Sequence, residues 1–312
     1  MENAIEVNGL SHAYDGKKYA LKDVSFYVER GEVMGVLGKN GAGKTTLTKI
    51  LTTLLRPTSG SAKIMGYDLD HGYEIRKRIG VVQQEPSMDF TTAEGNLDVY
   101  GILWGVPKRE RQLKKEALIK EFDLDDLLKK RFFDLSGGER RRVQIAREFM
   151  HDMDVLFLDE PTIGLDVVMR RSLLDFIRSK AKEGLAVMFT THNLEEADYL
   201  CDRIILIDKG KVLAVDTAQN LKRTYGGMRT VELNVEGGSA PLYGELKALG
   251  LNASLNPDGS ASVVTDEAET TVREVMKVAR ERGFQLSWLN VRESTLEEAF
   301  LNAVENAGRP SS

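Results

Sequence analysis

The sequence predicts an α/β fold in two domains: a largely parallel sheet with an antiparallel β subdomain and a helical insertion, then a small α+β domain. Three observations predict it. Short apolar runs alternate with helical segments from Ile5 to Ile207, the pattern of a sheet covered on both faces. One run, Glu32 to Leu37, passes straight into Gly38-Lys39-Asn40-Gly41-Ala42-Gly43-Lys44-Thr45, a complete G-x-x-x-x-G-K-[ST] phosphate loop. Beyond Tyr225-Gly226-Gly227 the order becomes strand, helix, strand, strand, helix, strand, the split βαβ of ferredoxin-like domains.

Taken in order, residues 5–10 and 20–28 alternate apolar and polar and read as antiparallel strands. Residues 32–37 form a short buried strand. A helix runs from Lys44 to Leu55, stopped by Arg56-Pro57 and the turn Thr58-Ser59-Gly60. Residues 79–83 are a further strand. From about Thr92 to Met150 the chain is helical and charged, with Lys108-Arg109-Glu110-Arg111 and Lys114-Lys115-Glu116 along an amphipathic helix after Pro107. The sheet resumes at 155–158, 186–190 and 203–207. The first domain is expected to span 1–224, its insertion about 92–150, and the second 225–312. In the second, strands fall at 230–235, 253–255, 260–265 and 284–291, with helices at 241–249 and 269–282. Trp288 is expected in its core. A last helix opens on the capping box Ser294-Thr295-Leu296-Glu297.

Bulk composition excludes several functions. At 42% hydrophobic and 29% charged the chain of 312 residues is ordinary for a soluble globular protein. Its net charge of −5 argues against broad contact with nucleic-acid phosphates. One cysteine, Cys201, allows no internal disulfide, which fits a reducing compartment, and its place before an apolar run marks a small buried residue. No stretch approaches the roughly 18 apolar residues that span a bilayer. The start lacks a basic segment and an apolar segment, so no signal peptide is expected and the protein should be cytoplasmic.

Three strand ends deliver the reactive residues. After the first, Gly38, Lys39, Asn40, Gly41, Ala42, Gly43, Lys44, Thr45 and Thr46 would hold a nucleotide. The glycines turn backbone N–H groups toward the phosphates, Lys44 reaches the β- and γ-phosphates, and the Thr45 hydroxyl ligates Mg²⁺. The second, residues 155–158, ends in Asp159 and Glu160, a metal ligand and a base for the attacking water. The third ends in His192, placed to bond the γ-phosphate and hold that water. His12, His71 and His151 have no such position. Gln84 follows a fourth strand and is a candidate Mg²⁺ and water ligand, whereas Gln83 is expected to be structural.

Between loop and carboxylates lies Leu135-Ser136-Gly137-Gly138-Glu139. With the other motifs it resembles the ATP-binding cassette (ABC) ATPases, from residue 4 to about 220. The resemblance implies a P-loop NTPase fold in which residues 135–139 are the signature that caps ATP held by the opposite subunit of a homodimer. It implies that Gly164, Leu165 and Asp166 are the D-loop at the dimer seam, and that Tyr14 stacks on adenine. Arg140-Arg141-Arg142 is expected to be a solvated or ion-paired face rather than a nucleic-acid contact. Those arginines, residues 82–89 and the tail 294–301 resemble the drug- and lipid-exporting ATPases that pair with a separate six-helix integral-membrane permease. That placement implies a peripheral position on the inner face of the membrane. In the same light Phe90, Leu97, Val99 and Tyr100 are candidates for the permease-docking groove, with Leu97 as readily a core residue. The alternative, a soluble ABC ATPase acting on nucleic acid or ribosomes, fits less well. Only about 90 residues without heptads separate Thr45 from Leu135, and there is a single cassette.

Overall fold

The computed structural model describes residues 3–16, 18–84 and 91–308. They form two compact units, divided between Ala218 and Gln219. The first unit contains β1 (Asn3–Ala13), β2 (Tyr19–Glu29), β3 (Val33–Leu37), β4 (Ser59–Ile64), β5 (Tyr67–Asp68), β6 (Ile79–Val82), β7 (Val155–Asp159), β8 (Ala186–Thr191), β9 (Arg203–Asp208) and β10 (Lys211–Asp216). The second contains β11 (Arg229–Val235), β12 (Ala253–Leu255), β13 (Ala261–Thr265) and β14 (Leu286–Arg292).

The main sheet has the order β10-β9-β3-β8-β7-β6, parallel except for β10 at one edge. Every residue of β3, β7 and β8 is buried, which is why these strands read as unbroken apolar runs. Their register sets Leu37 against Thr191, Asp159 against Thr190 and Val82 against Leu158. Four neighbouring strands therefore end level, at one edge. The antiparallel sheet β2-β1-β4-β5 shares a core with the main sheet. Val7, Val24 and Ile64 pack with Leu47 and Ile50 of the helix Lys44–Leu51 and with Val36, Phe157 and Met188. Burying each such side chain contributes roughly 1.5–3 kcal/mol, which anchors the phosphate-loop helix to both sheets.

The first helix stops four residues before the expected Leu55, at Leu51. There the Thr52 hydroxyl donates back to the Thr48 carbonyl (2.8 Å), and Thr53 turns left-handed (φ 62°). The expected turn at Ser59-Gly60 is instead the start of β4, paired with β1. Its polar Ser-Gly-Ser opening hid it.

The helical insertion consists of Ala93–Leu103, Lys108–Glu121 and Gly137–Glu148. Lys115 joins the first two, donating to Glu94 and Asp98 at 2.9 Å each. The guanidinium of Arg147 lies 4.3 Å over the Tyr100 ring. Leu97 is fully buried and belongs to the core, while Val99 is exposed. Phe90 falls outside the described residues.

In the second unit the order β12-β13-β11-β14, antiparallel throughout, is that of a ferredoxin-like sheet. Val231, Leu233 and Val263 pack against Leu242, Leu246 and Val275 of the helices Ala240–Ala248 and Ala268–Arg282. Two expectations fail here. Trp288 is 42% exposed, because its register on β14 points it away from the helices that cover the other face. The capping box is shifted by one residue. The Thr295 hydroxyl accepts from the Glu298 N–H (3.2 Å), and Glu298 accepts from the Thr295 N–H (2.9 Å).

Candidate active site

The phosphate loop leaves β3 and enters the helix Lys44–Leu51 through Gly43, whose φ of 113° excludes a side chain. A Cβ there would also lie 2.6 Å from the Ala20 carbonyl oxygen. Lys44 folds back over the loop, its Nζ donating to the Gly38 carbonyl (2.7 Å) and, more weakly, to that of Lys39 (3.4 Å). Burial pushes the Lys44 pKa down, opposed by the carboxylates of Glu160 and Asp159. The Thr45 hydroxyl reaches Asp159 Oδ2 at 3.3 Å.

From β7, Asp159 accepts a hydrogen bond from the Thr190 hydroxyl on β8. Glu160 follows in the left-handed region (φ 49°), held by its N–H donating to the Thr190 carbonyl (3.0 Å). Its side chain meets His192 Nδ1 at 3.1 Å. Tyr14 lies just beyond β1, two-thirds exposed. Its ring sits edge-on against His12 (centroids 4.7 Å apart) and its hydroxyl bonds Thr46 (3.1 Å). Tyr14, Asn40, Gly41, Gly43, Lys44, Thr45, Thr46, Gln84, Glu160 and His192, with Ala20, line one open cavity of about 630 Å³. Residues 135–139 do not line it.

The signature segment is built as a helix start. The Ser136 hydroxyl accepts from the Glu139 N–H (3.3 Å), and Glu139 accepts from the Ser136 N–H (2.6 Å). Leu135 is buried beneath. Glu139 also takes a 3.0 Å ion pair from Lys130, and its carboxyl pKa is held at about 2, first by the Ser136 N–H and then by Lys130. A carboxyl lowered in this way stabilises the fold while it is ionised. That contribution is complete above the ordinary value of about 4.3 and fades as pH falls toward 2. The stability gap between the native chain and Glu139→Gln, measured by urea unfolding, should therefore be constant near neutrality and shrink from about pH 5 downward. A gap that does not change with pH would remove this role for the carboxylate.

Gly138 meets the D-loop segment of its own chain. A Cβ at Gly138 would lie 2.6 Å from the Gly164 carbonyl oxygen. Leu165 is mostly buried, and Asp166 caps the helix Val167–Lys182, accepting from the Met169 N–H (2.9 Å).

The sequence reading missed two buried side chains. Glu196 accepts from the hydroxyls of Thr162 (2.9 Å) and Thr191 (3.0 Å) and faces Arg170 (3.4 Å), so it ties the ends of β7 and β8 to the helix after the D-loop. The pattern Asn193-x-x-Glu196 is a capping signal that would have flagged it. Arg141 was expected on a solvated or ion-paired face and is instead buried, donating to the Gln83 (2.7 Å) and Gln84 (3.0 Å) carbonyls. Burial pushes its pKa down, and the carboxylates of Asp159 and Glu160 oppose this. Arg140 and Arg142 also bond backbone carbonyls, of Leu135 (2.8 Å) and Asp123 (2.6 Å), because helix ends and turns leave such acceptors open, and Arg142 pairs with the Asp123 carboxylate (3.3 Å) as an ion-paired face would.

Comparison with known proteins decides the family. Residues 21–163 match the family model described as ABC transporter. The daunorubicin resistance ATP-binding protein DrrA3 of Streptomyces coeruleorubidus is 38% identical over 96% of this chain and 96% of its own. This chain belongs to the ABC transporter ATP-binding proteins. The doxorubicin resistance ATP-binding protein DrrA of Mycobacterium tuberculosis is 40% identical, over 96% of this chain and 92% of its own. Among solved structures, a post-hydrolysis dimer of the ATP-binding cassette MJ0796 with ADP and Pi superposes with a TM-score of 0.64. It is 26% identical and covers 68% of this chain and 98% of its own. The ABC protein is thus an ATPase that binds ATP. Among its described residues no helix is long and apolar enough to cross a membrane.

Proposed function

We propose that this ATPase powers an exporter of drug-like or lipid-like molecules, as a homodimer on the cytoplasmic face of the membrane beneath a separate integral-membrane permease. One observation carries the catalytic part. The phosphate loop, Gln84, Glu160 and His192 converge on a single cavity that the chain's own signature does not line. A second copy would supply Ser136, Gly137 and Gly138 from the far side, as hydroxyl and helix-start N–H donors to the γ-phosphate. The drug-resistance names of relatives that match nearly the whole chain support the exporter part.

The roles follow from chemistry. Lys44 and the loop N–H groups hold the phosphates, and Tyr14 stacks on adenine. Glu160 orients the attacking water and takes its proton as the water oxygen bonds the γ-phosphorus and the bond to the bridging oxygen breaks. His192, bonded to Glu160, steadies the carboxylate and the phosphate. The paired oxygens of Thr45 and Asp159, with Gln84 lining the cavity beside Thr45, fit Mg²⁺, which typically takes few protein ligands beside substrate phosphates. When bound, the ion would neutralise charge on the β- and γ-phosphates.

ATPase activity per molecule should rise with protein concentration, in step with dimer formation followed by light scattering. A specific activity that stays flat while the dimer fraction changes would rule out a site shared between copies. Purification from solubilised membranes should recover a polytopic permease. Recovery with ribosomes or nucleic acid instead would overturn the exporter reading.

A further inference from the structure

The strand β6 ends at Val82, and Gln83 and Gln84 leave the sheet with no ladder partner for their carbonyls. Both residues are exposed, yet a carbonyl that leaves the sheet still needs a donor, and here a buried side chain supplies it. The donor is a side chain 57 and 58 residues away. Arg141 Nη1 donates to the Gln83 carbonyl (2.7 Å) and to Gln144 Oε1 (3.0 Å), and Nη2 donates to the Gln84 carbonyl (3.0 Å). The Gln144 amide adds a second donor to the Gln83 carbonyl (3.2 Å). Arg141 is 6% exposed and Gln144 2%. A planar, forked cation fits two successive carbonyls as no single-point donor can.

Arg141 stands on the helix Gly137–Glu148, which Ser136 caps. A helix rises about 1.5 Å per residue and moves as a rod, so Arg141 sits only about 7.5 Å along it from Ser136. One end of the rod carries Ser136, and its flank grips the backbone that carries Gln84.

We propose that Arg141 is a positioning residue that fixes Gln84 to the signature helix, so that engagement of one ATP by the signature is transmitted to the Gln84 end of the chain's own site. The inference rests on the homodimeric reading above. A signature drawn toward ATP in one site carries the helix, and the fork carries Gln83 and Gln84 with it. The two sites of the dimer then fire together rather than singly.

The test compares Arg141→Gln and Arg141→Lys with the native chain at equal dimer fraction, with ATP and Mg²⁺ varied separately. Steady-state turnover gives kcat, KM and the Hill coefficient, and a fluorescent ATP analogue in chelator gives binding without metal. Metal-free binding should stay within about twofold, since Arg141 does not line the cavity. In Arg141→Gln, kcat should fall on the order of 10- to 100-fold, the scale for a displaced ligand, and the Mg²⁺ concentration for half-maximal rate should rise. The Hill coefficient should lie above one in the native chain and drop to one in Arg141→Gln. Lysine keeps the charge but loses the fork, so Arg141→Lys should recover part of kcat and less of the Hill coefficient. A variant that melts like the native chain but keeps its Hill coefficient and Mg²⁺ dependence overturns the proposal. Loss of rate in strict proportion to the folded fraction does so as well. A native chain with a Hill coefficient of one at full dimer overturns the two-site reading itself and the proposal with it.

Discussion

Glu160→Gln should lower ATP turnover by about 10²- to 10⁴-fold, the usual worth of a general base, and leave ATP binding near that of the native chain. The amide keeps the length of the side chain and can still bond His192, which sits 3.1 Å from the carboxylate. It cannot take the proton of water. Removing a negative charge beside Asp159 and the triphosphate also relieves repulsion as the site closes. An ATP-loaded dimer should therefore accumulate and be visible by light scattering. Turnover close to the native rate in this variant would take the base away from Glu160.

Lys44→Ala fails at an earlier step. Its ammonium is the cation seated inside the loop, and a charge-assisted hydrogen bond of this kind is worth about 1.5–3 kcal/mol, roughly 10- to 150-fold in ATP affinity. Without nucleotide the variant should melt no lower through loss of the charge, because burial already disfavours the charged form of Lys44. What it should lose is the rise in melting temperature that ATP gives the native chain. Calorimetric titration checks the affinity, and native-like ATP affinity would exclude the assignment. The two variants separate binding from chemistry: one holds ATP without cleaving it, the other does not hold it.

Much of this site is legible from sequence because its parts are local. A phosphate loop is eight consecutive residues whose meaning depends only on a strand before and a helix after. Asp159 and Glu160 announce themselves at the end of an apolar run. Arg141 does not, since its partners are main-chain carbonyls, which carry no sequence identity and lie far away in the chain. Charge alone suggested a solvated or ion-paired face for it. The shifted capping box has a different cause. Ser294 and Thr295 each have a glutamate three residues on, and only the geometry of the helix start distinguishes them. Trp288 was misplaced because β14 does not alternate cleanly, so its hydrophobicity was read without its face. The strand β4 and the edge strand β10 carry polar residues among apolar ones and gave weak signals beside the buried β3, β7 and β8.

The left-handed backbone at Glu160 bears on which residues that position can accept. A side-chain-bearing residue held there gives up on the order of 1–2 kcal/mol relative to glycine, and asparagine and aspartate are tolerated better than glutamate. The residues that the backbone prefers are those that lack the carboxylate or hold it one methylene too short to reach His192. Local stability and hydrolysis thus pull position 160 toward different amino acids. With Glu160 as the proposed base, drift toward an easier backbone would yield a well-folded chain that binds ATP and cannot spend it, so only the chemistry of glutamate favours it at this turn.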